Sequence, residues 1–123
     1  MDRYDAEAQP NVTQWLELSE QRRISLVEKH HRGSRLKAPQ LRAHVAIHVI
    51  VENQLAEGLE SVVRAMGRLR SEGLSRHDAI HAIGSVIAEN IYDLVTGKIA
   101  EEEAQVICDA GVERLNAKSW HDG

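Results

Sequence analysis

Apolar residues recur along this chain at spacings of three and four, the period of a helix face, and nowhere alternate as a half-buried strand would. The pattern predicts an all-α protein, an up-and-down helical bundle of about five helices with no sheet. Asn11 to Leu18 forms a short turn carrying Trp15, Leu16 and Leu18. Ser19 is placed to cap a second piece running to about His31, with Ile24 and Val27 on its inner face. Arg32-Gly33-Ser34 ends it, Arg35 to Lys37 form a basic link, and Pro39 suits the first turn of a helix running to about Ala56. Glu57-Gly58 separates that helix from the stripe Leu59, Val62, Val63, Met66 and Leu69, which stops at Gly73. Ser75 to Asp78 reads as a capping box opening a helix that closes at Gly97. A last helix begins near Ala100, with Glu101, Glu102 and Glu103 complementing its dipole and Ala104, Ile107, Cys108 and Leu115 on its apolar side. Residues 1–123 are expected to form one domain, with 1–10 poorly ordered and 117–123 a frayed tail.

Composition narrows the core. Two Trp, two Tyr and no Phe stand against seven His in 123 residues, so Leu, Ile, Val and Ala must fill the interior. Plentiful aliphatics exclude a disordered tail, and the lone Cys108 excludes a disulfide scaffold. No apolar run reaches membrane-spanning length and the first residues are acidic, so a cytoplasmic, unprocessed chain is expected.

The histidines carry the chemical signal. His44-Val-Ala-Ile-His48-Val-Ile50 and His77-Asp-Ala-Ile-His81-Ala-Ile83 share the pattern H-x-A-I-H-x-I, and Glu52-Asn53 and Glu89-Asn90 follow them. At about 100° per residue, His44, His48 and Glu52 occupy one strip of their helix. That helix is apolar nearly all round, which marks it as central and obliges its polar groups to find buried partners. His77 and His81 lie at the border of an apolar face, where Gly84 and Ala88 let another helix come close.

Two readings follow. Paired imidazoles at i and i+4 with a carboxylate one turn on suit a divalent transition metal such as zinc, iron or manganese, with His44, His48, Glu52, His77, His81 and Glu89 as candidate ligands. Alternatively, the histidines form a buried hydrogen-bonded network inside a binding or interaction protein that self-associates as a homodimer. Among known metal motifs, His48-Val-Ile-Val-Glu52 resembles the H-x-x-x-E of hemerythrin-type bundles and His77-Asp-Ala-Ile-His81 their H-x-x-x-H. The likeness covers these positions alone, since the last helix lacks the further His ligand that such centres use.

A second resemblance covers more of the chain. WLELSEQRRISLVE, HVAIHVIVENQLAEG and GLSRHDAIHAIGSVIAENIYDL are similar to a family of small bacterial helical proteins filed as a domain of unknown function. That resemblance implies a bacterial, all-α, cytoplasmic protein and carries no activity with it.

Charge is uneven. Arg22, Arg23, Lys29, Arg32, Arg35, Lys37 and Arg42 crowd residues 21–43, and Arg64, Arg68, Arg70 and Arg76 form a second cluster. A nucleic-acid surface is the weakest reading, because the net charge is −4 and the aromatics do not interleave with the basic residues. His30 and His31 read as complements to a helix C-terminus. Catalysis finds little support: there is no Gly-rich phosphate loop, Cys108 lies on an apolar face, and Ser85, one turn from His81, has no oxyanion donors beside it.

Overall fold

A computed structural model describes residues 1–31 and 38–122 of the chain. Over these it is helical with no strand: α1 (Val12–Glu17), α2 (Glu20–His30), α3 (Ala38–Ala56), α4 (Glu60–Ser71), α5 (Arg76–Val95), α6 (Glu101–Arg114) and α7 (Ala117–Asp122). The helix end expected at Arg32-Gly33-Ser34 and the basic link Arg35 to Lys37 lie outside the described residues.

The joints follow from local chemistry. Ser19 Oγ accepts from the Arg22 amide and Ser75 Oγ from the Asp78 amide, each at 3.1 Å, so both predicted caps form. Gly73, at φ 101°, takes the left-handed conformation that turns the chain out of α4.

Two apolar clusters organise the packing. Val51 and Leu55 of α3 join Val62, Ala65 and Leu69 of α4, Ile80, Ile83 and Ile87 of α5, and Val112 of α6. On the other side of α3, Val45 and Val49 meet Trp15, Leu26 and Val27. Thus α3 runs between the two clusters, buried or half-buried over residues 47–56, whereas Pro39, Gln40, Arg42, Ala43 and Ala46 in its first half are exposed against the all-round burial its apolar pattern predicts; α5 packs against α3, α4 and α6. The close approach of α3 and α5 is set at Gly84, where an added Cβ would lie 2.7 Å from Ile47 Cγ2.

Three details depart from expectation. Residues 1–10 contain no helix, yet Tyr4 and Ala6 are buried in the second cluster, so the segment is a strap laid over the core. At the other end, 117–122 forms α7, and Trp120 packs against the first cluster. In α4 the buried stripe is Val62, Ala65 and Leu69, with Val63 turned outward; Ser61 beside them is buried and donates to Asp109 of α6 at 3.1 Å. That hydrogen bond and the small Ala65 set the inner face of α4 one position away from the pattern of large apolar residues.

Candidate metal centre

Five histidines converge where the N-terminal strap, α2, α3 and α5 meet. His31 is the C-cap of α2, His44 and His48 lie one turn apart on α3, and His77 and His81 one turn apart on α5. One ring nitrogen from each lies within 4.8 Å of all the others. Helical spacing accounts for each pair. The close contact at Gly84 brings the pairs together, with His44 opposite His81 at 4.7 Å between ring centroids and His48 opposite His77 at 5.5 Å.

The hydrogen bonds fix two tautomers. His31 Nδ1 lies 2.8 Å from the Val27 carbonyl, which can only accept, so Nδ1 carries the proton and Nε2 is left with its lone pair. That Nε2 faces His44 Nε2 at 3.1 Å. His48 is set by a longer chain. Arg76 donates to both oxygens of Glu52 at 2.7 Å, a bidentate, charge-assisted pair. Tyr4 donates its hydroxyl hydrogen bond to Glu52 Oε2, so its oxygen must accept from His48 Nε2, 2.7 Å away. His48 Nδ1 is therefore a bare lone pair, buried and without a hydrogen-bond partner.

His77 Nε2 and His81 Nε2 are buried and unpartnered as well. Leaving a buried polar atom unsatisfied costs roughly 1–3 kcal/mol, so three in one cluster favour a shared ligand. Burial, reinforced by the neighbouring histidines, pushes His48 down to about 2 and His81 down to about 4, and it lowers His31 and His44 in the same way. These four rings are consequently neutral near pH 7, the form in which imidazole ligates.

The dimensions suit one ion. With metal–nitrogen bonds of about 2.0–2.1 Å, adjacent ligand atoms sit about 3.0–3.4 Å apart and opposite ones about 4.2 Å apart. The His31–His44 separation of 3.1 Å already falls in the adjacent range, and the other separations, all within 4.8 Å, close onto one ion by movement of the rings. Around this set lie the outer contacts that orient metal-binding histidines: a carbonyl behind His31, and a tyrosine backed by a carboxylate behind His48.

Four of the six residues singled out from the sequence, His44, His48, His77 and His81, meet here. Glu52 is buried, but Arg76 occupies both its oxygens, which places it behind His48 rather than among the converging nitrogens. Glu89 lies two turns beyond His81, exposed at a separate groove beside Asp93 and Arg114. Sequence reasoning missed His31, Tyr4 and Arg76. A buried Glu on an apolar helix requires a cation, and Arg76 beside His77 was the available signal; His31 was obscured by its sufficient role at the end of α2, where it does bond a carbonyl. Nothing in the sequence marks Tyr4, whose position depends on the path of the strap. Arg76 holds that path by donating to the Ala6 carbonyl and the Gln9 side chain, both at 3.0 Å.

Other candidates separate from this centre. Ser85 Oγ donates to the Ala82 carbonyl at 2.7 Å, so its proton is not directed at His81. Burial pushes the half-buried Cys108 thiol up, with the Asp109 charge adding to it, which keeps it a weak nucleophile. Several arginines are committed internally: Arg23 donates to the Trp15 and Leu16 carbonyls and to Asn53, Arg68 to the carbonyls of Val112 and Leu115, and Arg76 to Glu52. Among the described residues no helix is long and apolar enough to cross a membrane. Comparison with family models, curated proteins and solved structures finds no match to this chain.

Proposed function

We propose that this chain is a metal-binding helical protein whose centre is a single divalent transition-metal ion held by His31, His44, His48, His77 and His81. The observation that carries the reading is the convergence of five ring nitrogens within 4.8 Å, three of the rings bearing buried nitrogens without any other partner. An all-imidazole set suits zinc, iron, copper or nickel better than manganese, which favours oxygen donors. The chain Arg76–Glu52–Tyr4–His48 supports it further, since a fixed tautomer leaves the buried His48 Nδ1 with a lone pair for a ligand. Protein purified without chelator and titrated with cobalt(II) is expected to bind one equivalent. His48→Ala and His31→Ala should each weaken binding by at least about tenfold, the lower end of what even an outer contact contributes. Substoichiometric, non-saturating uptake, or uptake unchanged in both variants, contradicts the proposal.

Self-association is a second reading, supported by Tyr92 and Val95 near the end of α5 and Val106 on α6, which are 67%, 79% and 71% exposed. Light scattering should then report twice the chain mass, and a monomer across micromolar concentrations contradicts it.

A further inference from the structure

We infer that the metal centre takes a small monoanion with an apolar body as an exchangeable ligand, seated in the pocket between α3 and α5. The inference rests on the metal reading above and follows from charge. Five neutral imidazoles leave a divalent ion with its full charge, and among the described residues the one buried carboxylate, Glu52, is already paired with Arg76 through two hydrogen bonds of 2.7 Å. An uncompensated dipositive centre in a low-dielectric interior strongly favours an anionic partner. Asp78 on α5, whose charge acts on His81, is exposed to solvent, and Glu7 on the strap accepts from the His77 amide at 3.4 Å. Neither is among the converging atoms.

The pocket selects the kind of anion. His44, His48 and His81 form one side of a space of about 370 Å³ that opens to solvent. Its other walls are Ile47 and Ile80, with Ala88 and Trp120 toward the outside. That is the usual make-up of a small-molecule site, mostly apolar with a few convergent polar groups. Among the described residues no lysine or arginine lines it, so within that lining a dianion such as phosphate lacks the guanidinium or ammonium contacts that normally hold it. Ser85 at the rim has its proton engaged by the Ala82 carbonyl and adds no donor. The chemistry therefore fits a single negative charge on the ion and a hydrocarbon body along Ile47, Ile80, Ala88 and Trp120, as in a short-chain carboxylate.

Cobalt-loaded full-length protein provides the test, through its visible d–d bands, with azide, acetate, butyrate and hexanoate added at constant ionic strength and perchlorate as a non-coordinating control. Saturable band shifts are expected with azide and with the carboxylates and none with perchlorate. Affinity should rise by about two- to fourfold per added methylene as the chain enters the pocket. Ala88→Leu, at an exposed helix position, should leave one cobalt bound and weaken butyrate by about tenfold by filling the space. Stoichiometric cobalt with bands that no anion moves in the tens of millimolar overturns the inference and leaves the metal reading standing. Flat affinity along the carboxylate series, or butyrate binding unaffected by Ala88→Leu, overturns the pocket assignment; failure to hold cobalt at all overturns both.

Discussion

Tyr4 is the residue on which the centre's fine geometry depends, because among the described residues it is the one hydrogen-bonded link between the Arg76–Glu52 pair and a histidine ring. Its hydroxyl is both donor and acceptor, and burial together with the Glu52 charge pushes its proton loss far above the ordinary phenol range. It is thus a permanent phenol that donates to Glu52 and so presents only lone pairs to His48 Nε2. Tyr4→Phe removes that link and keeps most of the packing against Trp15 and His30. Metal affinity is expected to fall by about 10–100-fold, the usual effect of losing an outer contact, with a stability loss of about 1–3 kcal/mol from the stranded partners. Denaturant unfolding of metal-free protein beside a competitive metal titration checks both; a variant with unchanged affinity contradicts the role given to Tyr4. By comparison, Glu52→Ala should cost about 3–5 kcal/mol, since it strands a buried guanidinium, and it reports on folding more than on the ion.

At the scale of elements, much of the fold is legible in the order of residues alone. The caps at Ser19 and Ser75, the turn at Gly73, and the burial of the second half of α3 all follow from residue type and spacing. The His pairs are equally legible as pairs. Their convergence is not, because periodicity gives the face of a helix and not the partner it meets. That partner is fixed by shape, at Gly84 against Ile47. The strap is hidden for a different reason: its order comes from one Tyr, one Ala and the donors of Arg76, with no periodic signal. Two glycine replacements separate packing from propensity. Gly67, exposed within α4 with nothing within 4 Å of an added Cβ, should gain about 0.5–1 kcal/mol as Gly67→Ala. Gly84→Ala gains the same propensity but forces α3 and α5 apart against a branched side chain at 2.7 Å, for a net loss of about 1–2 kcal/mol and weaker metal binding. Equal stabilisation by both substitutions contradicts the view that Gly84 sets the α3–α5 contact.

The whole molecule is two aliphatic clusters joined along α3, with a polar centre between them that the aliphatic filling cannot satisfy. The low aromatic content and the excess of histidine are therefore related: cores built from Leu, Ile, Val and Ala surround a small group of rings concentrated at one place. A bound ion would tie the strap, α2, α3 and α5 together, and since binding to the native state alone adds stability, loading should raise the unfolding midpoint. The most direct measurement of the central claim is X-ray absorption at the metal edge of protein carrying one equivalent of zinc or cobalt. The account predicts about five nitrogen scatterers at about 2.0–2.2 Å, with the outer-shell scattering of imidazole rings and one fewer in His31→Ala. A first shell dominated by water or carboxylate oxygen, unchanged by removing His31, would contradict it.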